Sequence, residues 1–543
     1  MKTTLGLAIA VLLWTGVPQP HSVEQAAPGT RPPAAIAASF DGIGAGFEGP
    51  QGRYEGRNPS DNSVAVGPDH VLQIVNTRFA IFSKAGKPLY GPVPTNAFFA
   101  GLGGPCEARN NGDAVARYDQ LAKRWLIVMP IFARIPLSEI EGRPPVNEPA
   151  RPGQLAAAGQ ASTPGPAVML PSNPVIPPPP EPQGRGRGAA PPATPPPPST
   201  SAMCYAVSTG PDPMGPYYRY GFERKLFPDY PRPAVWPDGY YIPTSTSDNR
   251  ISETVATQKH ACVADRAKML AGQPATEQCV IVENVNFLNN ADVDGTKLPP
   301  SGAPNVMIAA GGTQLDKIFD ADYVHVWQFH VDWNDPRKTA LTGPVKIPVA
   351  PYHYLCDGQL TSCVPQPGTD RKLDAQGDKI MARVVYRNLG GRESIIAVHS
   401  INTAAGGGGV RWYELQIGRD RSVSLRQQGT YAPGGFFRWM GSPAIDRAGN
   451  IGIGYSFGGS PNFAGQRFAG RLANDPRGQL TLKETVLVDG EAAQTNTLRW
   501  EDYSQTAIDP SDDCTIWYVG DYFKKDATAY STRIGAFRMP GCH

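Results

Sequence analysis

The sequence predicts an all-β fold, because one short pattern of strand, turn and strand recurs seven times along its 543 residues. Each copy has an apolar run containing an alanine, usually followed by a turn rich in Asp, Pro, Gly or Asn and then by a second strand-like run. Strand repeats of this length are typical of β-propellers, so we expect a seven-bladed β-propeller, although one misread repeat would change the count to six or eight. The aligned alanines are Ala65, Ala116, Ala234, Ala309, Ala382, Ala444 and Ala507.

The last repeat predicts how the ring of blades is completed. It supplies about three strands, in the segments SQTAI, CTIWYVG and RIGAFRM, whereas a propeller blade normally has four. Residues 28–57 are therefore interpreted as a linker with a closing strand around Ala38 to Phe47, and residues 58–543 as the propeller. Such closure removes an exposed sheet edge.

The amino terminus predicts export. Residues 1–27 are interpreted as a signal peptide, because the apolar run from Leu5 to Trp14 has the length of a signal-peptide core and is too short to span a bilayer. No later segment is apolar for long enough to cross a membrane, so we expect a secreted protein, extracellular or periplasmic. The 50 basic and 48 acidic residues nearly cancel, which argues against nucleic acid as a partner. The expected partner is an extracellular glycan or protein, and the chain is expected to be a monomer.

A long insertion interrupts the second repeat. Residues 135–201 are dominated by Pro, Ala and Gly, with proline runs at 177–180 and 195–198. Such a segment cannot bury enough apolar surface to fold, so we expect a disordered, extended loop within the propeller.

The eight cysteines favour disulfides over a metal site. All of them follow the predicted signal peptide, as in proteins of oxidising compartments, and no C-x-x-C pair suggests zinc. Pairing each cysteine with its neighbour in the sequence predicts the disulfides Cys106–Cys204, Cys262–Cys279, Cys356–Cys363 and Cys514–Cys542.

Several long motifs carry a resemblance to a known group of proteins. They are FPDYPRPAVWPDGYY, CVADRAKMLAGQPATEQC, CVPQPGTDRKLDAQGDKIMARVVYRN, FRWMGSPAID and RWEDYSQTAIDPSDDCTIWY. Together they resemble a widespread, largely uncharacterised group of secreted bacterial β-propeller proteins, and the resemblance runs from Asn58 to Cys542 outside the insertion. It implies an extracellular propeller broadly similar to the sialidase superfamily, without a defined reaction.

Five acidic residues predict a site at one end of the propeller. Each lies three to five residues before an aligned alanine, so the carboxylates would surround one mouth of the central channel, where propellers usually bind ligands. Like charges gathered there raise one another's pKa unless a cation intervenes. The alternative is that each Asp caps its own turn. The five residues are Asp61, Asp113, Asp229, Asp378 and Asp502.

Two neighbouring repeats add an Arg-Trp pair. Arg438 with Trp439 and Arg499 with Trp500 occupy matching positions, where Arg could bind a carboxylate and Trp could stack on a sugar. Packing between blades is the alternative. The sialidase-like resemblance suggests that Arg78, Arg438 and Arg499 hold a substrate carboxylate, with Tyr503 and Asp502 as the reactive pair. Asp113, Asp502 and Tyr503 are the candidate catalytic residues.

One local pattern predicts calcium, the single cofactor that the sequence suggests. Asn290, Asp292 and Asp294, followed by Gly295, place oxygen ligands at alternate positions before a turn. Ser301 stands where an EF-hand needs Glu, so an ordinary EF-hand is excluded and a shorter loop or a plain polar turn remains.

Two functions follow from these observations. The first is binding of an extracellular glycan or protein at the channel mouth. The second is a carbohydrate-active hydrolase, sialidase-like, or a lyase, acting at the same place. An enzyme needs two carboxylates, or a carboxylate and a Tyr, facing each other across a pocket, whereas a binding protein needs only a shallow charged surface.

Overall fold

The structure is a computed structural model that describes residues 23–56, 58–132, 155–156, 201–224, 228–245, 258–285, 287–313, 320–358 and 362–542. Most of the predicted signal peptide and nearly all of the predicted insertion lie outside the described residues. Strands account for 51% of the structure and helices for 6%, which confirms the all-β class.

Seven antiparallel units of four strands can be followed through the described residues. Four strands precede the first unit in the sequence: β1 (Glu24–Gln25), β2 (Ala35–Asp41), β3 (Glu48–Gly49) and β4 (Gly52–Arg53). The first unit contains β5 (Ser63–Val66), β6 (His70–Val75), β7 (Arg78–Ser83) and β8 (Pro88–Pro94). The second contains β9 (Val115–Asp119), β10 (Arg124–Ile131), β12 (Ser201–Ser208) and β13 (Tyr217–Arg224). The two-residue strand β11 (Leu155–Ala156) lies between β10 and β12 in the sequence but belongs to a different sheet.

The third and fourth units continue in the same order. The third contains β14 (Ala234–Trp236), β15 (Gly239–Ser245), β16 (Gln258–Ala264) and β17 (Glu277–Glu283), and β11 pairs with β17 at its edge. The fourth contains β18 (Asn289–Val293), β19 (Asn305–Gly311), β20 (Tyr323–His330) and β21 (Ala340–Pro348). A hairpin of β22 (Ser362–Gln366) and β23 (Thr369–Asp374) follows, outside the units.

Three further units complete the chain. The fifth contains β24 (Val384–Asn388), β25 (Glu393–Asn402), β26 (Gly408–Ile417) and β27 (Val423–Tyr431), with β1 parallel to β27. The sixth contains β28 (Phe437–Ile445), β29 (Ile451–Gly459), β30 (Asn462–Arg471) and β31 (Thr485–Val488). The seventh contains β32 (Gln505–Ile508), β33 (Thr515–Tyr522) and β34 (Ser531–Arg538), and β2 is its fourth strand.

Helices among the described residues are short. They are α1 (Gly104–Ala108), α2 (Arg266–Leu270) and the 3₁₀ turns Thr95–Phe99, Pro336–Lys338, Leu355–Asp357 and Pro433–Gly435. No helix in the described part of the chain is long and apolar enough to cross a membrane.

The predicted N-terminal strand pairs with the last strand of the chain. Strand β2 runs antiparallel to β34, with Ala35 opposite Arg538 and Asp41 opposite Arg533. The strand begins and ends earlier than the predicted span of Ala38 to Phe47. It gives the seventh unit the fourth strand that its own sequence lacks.

Two of the aligned alanines were placed wrongly. Ala309 lies in β19, the second strand of the fourth unit, whose first strand instead contains Ala291. The sequence of that first strand, NNADV, alternates polar and apolar residues, so it lacks the apolar run that marked the other copies. Ala382 lies just ahead of β24 instead of inside it.

The first strands of the seven units contact one another in chain order. Strands β5, β9, β14, β18, β24, β28 and β32 each contact the next, and β32 contacts β5. Side chains tie neighbours together: Ser63 Oγ accepts from the Ala116 amide at 2.9 Å, and Ser442 Oγ accepts from the Thr506 amide at 2.9 Å. At these two junctions polar side chains bond to the backbone of the next unit, whereas β18 and β24 pair directly as parallel strands and join the fourth and fifth units in one sheet.

All four predicted disulfides are present. Cys106–Cys204, Cys262–Cys279, Cys356–Cys363 and Cys514–Cys542 account for every cysteine, and no cysteine is free. Cys514–Cys542 joins the last residues of the chain to the start of β33, and Cys106–Cys204 joins α1 to β12.

Candidate functional site

The five predicted Asp residues gather at one end of the molecule, which we call the acidic end. Asp61, Asp113, Asp229 and Asp502 lie shortly before β5, β9, β14 and β32, and Asp378 lies before β24. Because the first strands adjoin one another, the residues that enter them meet at a common end. Their mutual interactions, described below, show that the side chains converge there.

Asp61 and Asp113 form a carboxyl pair. The two groups lie close enough for the Asp113 carboxylate to act on the ionisation of Asp61, and Asp61 Oδ2 accepts from Asn76 Nδ2 at 2.7 Å. Asp61 is only 5% exposed, and its Oδ1 meets no protein N–H or O–H donor among the described residues. Burial and the neighbouring negative charge both disfavour ionisation of Asp61, so this pair retains a proton more readily than a free carboxylate does.

Burial and neighbouring acids set the proton affinity of this pair. Burial raises the pKa of Asp113 to about 7, and the nearby Asp229 carboxylate adds to the rise, while Tyr503 and Arg499 oppose it. Burial and the Asp113 carboxylate raise the pKa of Asp61 well above its ordinary value. Groups that titrate near neutrality are suited to general acid–base chemistry.

Tyr503 lies against this pair. Its hydroxyl donates to Asp113 Oδ2 at 3.3 Å, and its ring stacks on that of Tyr230, with centroids 4.2 Å apart and planes inclined at 22°. The Tyr230 hydroxyl in turn donates to the backbone carbonyl of Asp502. Burial raises the pKa of Tyr503 well above its ordinary value, so this phenol stays protonated and acts as a donor.

Asp502, the predicted partner of Tyr503, is engaged elsewhere. Arg499 holds its carboxylate with two donors, Nε to Oδ1 at 3.2 Å and Nη2 to Oδ2. Gln376 Nε2 also donates to Asp502 Oδ1, at 3.0 Å. The acidic partner of Tyr503 is therefore Asp113. The Arg499 side chain is 36% exposed, so it faces solvent beside the carboxyl pair.

Three cations line the other side of the acidic end. The Arg232 guanidinium lies 4.3 Å from the centroid of the Tyr230 ring, and Lys259 Nζ and Lys379 Nζ lie 5.1 and 4.4 Å from that of Phe287. Lys379 also pairs with Asp378 at 3.0 Å. Burial, reinforced by Arg232, lowers the pKa of Lys259 to about 8. The carboxyl groups and the cationic side chains thus lie on opposite sides of one aromatic cluster, formed by Tyr230, Tyr503 and Phe287.

A second carboxyl pair lies beneath the first. Glu501 Oε1 accepts from the Asp521 amide at 2.5 Å and from Gln466 Nε2 at 2.9 Å, and Asp521 Oδ1 accepts from Asn62 Nδ2 at 2.5 Å. Burial raises the pKa of Asp521 to about 7 and that of Glu501 well above its ordinary value, where the Asp521 carboxylate adds to the rise. Neither carboxylate makes an ion pair with a described residue, so no side-chain cation among those residues offsets the effect of burial on the two pKa values.

The backbone is strained at the same end. Non-glycine residues with φ between 47° and 62° occur just before or within the start of five first strands, where each costs about 1–3 kcal/mol. Such strain is typical of functional sites, where the surrounding structure holds side chains in fixed directions. The residues are Asp61, Tyr230, Gln376, Met440, Glu501 and Asp502.

The Arg-Trp pairs differ from the predicted ligand site. Trp439 and Trp500 are buried in the core, with ring centroids 6.1 Å apart, so neither indole can stack on a sugar. Arg438 is buried too, with Nε 2.8 Å from Glu484 Oε2. Packing between units places these side chains inside, which argues against the predicted ligand-binding roles of Arg438, Trp439 and Trp500; those roles stay predictions. Only Arg499 of this set reaches the acidic end.

The predicted calcium ligands form an ion cluster on the first strands. Asp292 Oδ2 lies 2.9 Å from Arg383 Nε and 3.2 Å from Arg117 Nε, and Asp294 binds Arg383 as well. Asn290 Nδ2 donates to the Tyr241 carbonyl at 3.3 Å. Two guanidinium groups already neutralise the two carboxylates, which weighs against a cation here. Calcium at Asn290, Asp292 and Asp294 stays a prediction.

Sequence reasoning missed several residues of the acidic end. Tyr230, Phe287, Lys259 and Lys379 carry no motif of their own. One signal was present for Tyr230, because Asp229-Tyr230 and Asp502-Tyr503 repeat the same Asp-Tyr pair ahead of two first strands. The two tyrosines of that repeated pair are the ones that stack.

No protein-family model matches the sequence. No curated protein matches it either.

Three solved structures are similar in overall shape at low identity. A protein of unknown function from Dyadobacter fermentans is 9% identical, with 93% of this chain and 100% of that chain covered and a TM-score of 0.35. An ulvan lyase of polysaccharide lyase family 25, bound to -[GlcA(1-4)Rha3S]-, is 10% identical, with coverages of 93% and 94% and a TM-score of 0.37. The sialidase NanB with Optactamide is 8% identical, with coverages of 80% and 67% and a TM-score of 0.34. At TM-scores this low the similarities say nothing about the site.

Proposed function

We propose that the chain is a seven-bladed β-propeller in which each four-stranded unit is one blade. The first strands, which contact one another in order and return from β32 to β5, line the central channel. The pairing of β2 with β34 joins the two ends of the chain in one blade. The acidic end is then one mouth of that channel.

The protein belongs, in this proposal, to an oxidising compartment outside the cytoplasm. Its four disulfides, with no free cysteine, favour such a compartment. The predicted signal peptide agrees with this location.

The function that the geometry supports best is acid–base cleavage of a glycan at the acidic end. Asp113 is the observation that carries this proposal. Its carboxyl group is half-buried, has a pKa raised to about 7 by burial and Asp229, and is held by both Tyr503 and Asp61. A carboxyl group with these properties can give and take a proton at neutral pH.

The proposed reaction is hydrolysis of a glycosidic bond. Asp113 in its acid form donates its proton to the glycosidic oxygen as the bond from that oxygen to the sugar carbon breaks. Burial raises the pKa of Asp229, and the Tyr230 amide, Arg499 and Lys379 oppose that rise; in its ionised form the Asp229 carboxylate stabilises the positive charge that develops on the sugar. Water then adds to the sugar carbon and Asp113 takes its proton, which restores the acid and consumes one water.

Incubation of the purified protein with a panel of polysaccharides, followed by measurement of new reducing ends, tests this proposal. Asp113→Asn is expected to lower the rate by at least about 100-fold, because the proton donor is lost. Asp69→Asn is the matched control, since Asp69 is an exposed residue in the turn between β5 and β6. Turnover that is insensitive to Asp113→Asn would refute the catalytic role, and an unsaturated product would indicate elimination instead of hydrolysis.

The second candidate is glycan binding without turnover. The burial of Tyr503, Asp502 and Asp61, which are 3%, 5% and 5% exposed, favours it, because these groups then shape a shallow surface instead of entering a pocket. Glycan binding that persists in the Asp113→Asn variant, with no product from the wild type, would decide for this candidate.

A further inference from the structure

An open cleft lies beside the acidic end, between the β22–β23 hairpin and the segment Thr495–Arg499. Its volume is about 610 Å³, and Arg371, Lys372, Asp370, Thr369, Thr495 and Leu498 line it. Binding sites for small molecules usually have volumes of roughly 300–1,000 Å³, so the cleft can hold a ligand. We call it the hairpin cleft.

The walls of the hairpin cleft are fixed to each other. Gln366 Nε2 donates to the Gln494 carbonyl at 2.9 Å, and the Gln494 amide donates back to Gln366 Oε1 at 2.8 Å. The Asp374 amide donates to the Leu498 carbonyl at 2.9 Å, and Cys356–Cys363 anchors the start of the hairpin. A cleft with walls held in this way is already formed before a ligand binds, so binding costs little ordering of the protein.

Both walls of the cleft lead to the acidic end. On one wall, Leu498 precedes Arg499, which holds Asp502. On the other, β23 ends at Asp374, whose Oδ2 accepts from Gln376 Nε2 at 3.3 Å, and the same Gln376 nitrogen donates to Asp502 at 3.0 Å. A chain-like ligand with one unit at the acidic end therefore has a direct path into the cleft.

The cleft presents two cations that have no side-chain partner among the described residues. Arg371 and Lys372 are exposed, and within the described part of the chain neither side chain makes an ion pair or a hydrogen bond. Among the described residues of the lining Asp370 is the single carboxylate, so these residues carry a net positive charge, to which the adjoining Arg499 adds. Guanidinium and ammonium groups left free in a formed cleft match carboxylate or sulfate groups.

We propose that the hairpin cleft is a second binding subsite, which takes a carboxylate- or sulfate-bearing sugar of the glycan whose neighbouring unit lies at the acidic end. This proposal rests on the proposed function, because it assumes a glycan at the acidic end. A nucleic acid fits less well, since the carboxyl pairs of the acidic end would repel closely spaced phosphates.

The test compares glycans of different length and charge on one pair of variants. The probes are oligogalacturonates from one to six units, the same hexamer with its carboxylates reduced to alcohols, and sulfated galactan oligosaccharides of matching length. The variant is Arg371→Gln with Lys372→Gln, which alters exposed side chains and leaves the buried walls intact. The control is Arg337→Gln with Lys338→Gln, whose side chains are 88% and 70% exposed on another part of the surface.

We expect the Arg371→Gln, Lys372→Gln variant to bind the longer carboxylate or sulfate probes at least fivefold more weakly in calorimetry. Its affinity for the single sugar unit should be unchanged, and the control variant should bind every probe as the wild type does. The carboxylate and sulfate series then distinguish the natural anionic group. Equal losses for short and long probes, or equally tight binding of the reduced hexamer, would overturn the second subsite while leaving the proposed function intact. A wild-type protein that neither binds nor cleaves any glycan, neutral or charged, would overturn both.

Discussion

The Tyr503 hydroxyl donates a hydrogen bond to Asp113 Oδ2 at 3.3 Å, although the two residues lie 390 positions apart in the chain. Tyr503 lies just before β32 of the seventh unit, and Asp113 lies just before β9 of the second. The two residues meet because β32 and β9 both contact β5. The hydrogen bond favours the ionised form of Asp113 and so opposes the rise in pKa that burial causes.

Removal of this hydrogen bond is expected to shift a pH profile. In Tyr503→Phe the pKa of Asp113 rises above its value of about 7, because a donor to the carboxylate is lost. The alkaline limb of the rate profile, where Asp113 loses the proton it must donate, should move to higher pH. Tyr323→Phe, remote from the acidic end, should leave the profile unchanged. An unshifted alkaline limb in Tyr503→Phe would mean that Asp113 does not set it.

The buried pair of Glu501 and Asp521 predicts a pH-dependent stability. Burial raises the pKa of both carboxyl groups in the folded protein, so the folded state binds more protons than the unfolded state between pH 4 and 7. The contribution of Asp521 to stability is full below its unfolded pKa and is lost as pH rises through about 7, and that of Glu501 is lost in the same direction. Asp521→Asn should remove part of this loss and stabilise the protein at pH 8, relative to pH 4, by at most about 4 kcal/mol.

Urea unfolding of the wild type and of Asp521→Asn at pH 4, 6 and 8 measures this effect. Asn keeps the oxygen that accepts from Asn62 Nδ2, so the hydrogen bond itself is retained. If the variant loses the same free energy of unfolding at every pH, the carboxyl pair does not control the pH dependence.

The ion cluster at Asp292 predicts the effects of both mutation and calcium. Asp292→Asn leaves Arg117 and Arg383 near each other with one carboxylate fewer in a buried site, so we expect a loss of about 3–5 kcal/mol in the free energy of unfolding. Because the guanidinium groups already neutralise these acids, neither calcium nor EDTA should change the melting temperature of the wild type. A melting temperature that EDTA lowers and calcium restores would support the calcium hypothesis for Asn290, Asp292 and Asp294.

Trp439 is expected to act on stability and not on ligand affinity. It is fully buried in the core that also contains Trp500, so Trp439→Ala should cost about 3–5 kcal/mol through lost burial and the cavity that remains. Denaturant unfolding measures the cost, and calorimetry on the folded variant should give an unchanged affinity for any glycan that the wild type binds. A Trp439→Ala variant that keeps the stability of the wild type but loses affinity for the glycan would show that Trp439 takes part in ligand binding.

Local patterns in the sequence predicted most of the strands and the position of the Asp residues at the acidic end. The alternation of apolar runs and turn residues predicted the strands, and the missing strand of the last repeat predicted the pairing of an N-terminal segment with β34. The repeated Asp ahead of the first strands predicted the acidic end, because a carboxylate at an equivalent point of each repeat must lie at an equivalent point of the structure. The polar first strand NNADV of the fourth unit escaped detection, since a strand that carries an ion cluster has no apolar run to mark it.

The sequence by itself determined the all-β class, predicted the four disulfide pairs and identified the five Asp residues of the acidic end. The tertiary structure alone decided which of those residues work together. It buried Arg438, Trp439 and Trp500, matched Tyr503 with Asp113 instead of its neighbour Asp502, and brought Lys259 and Lys379 against Phe287. The physical reason is that strand patterns depend on neighbours along the chain, whereas burial, pairing and the pKa of a carboxyl group depend on residues that only the packing of separate units brings into contact.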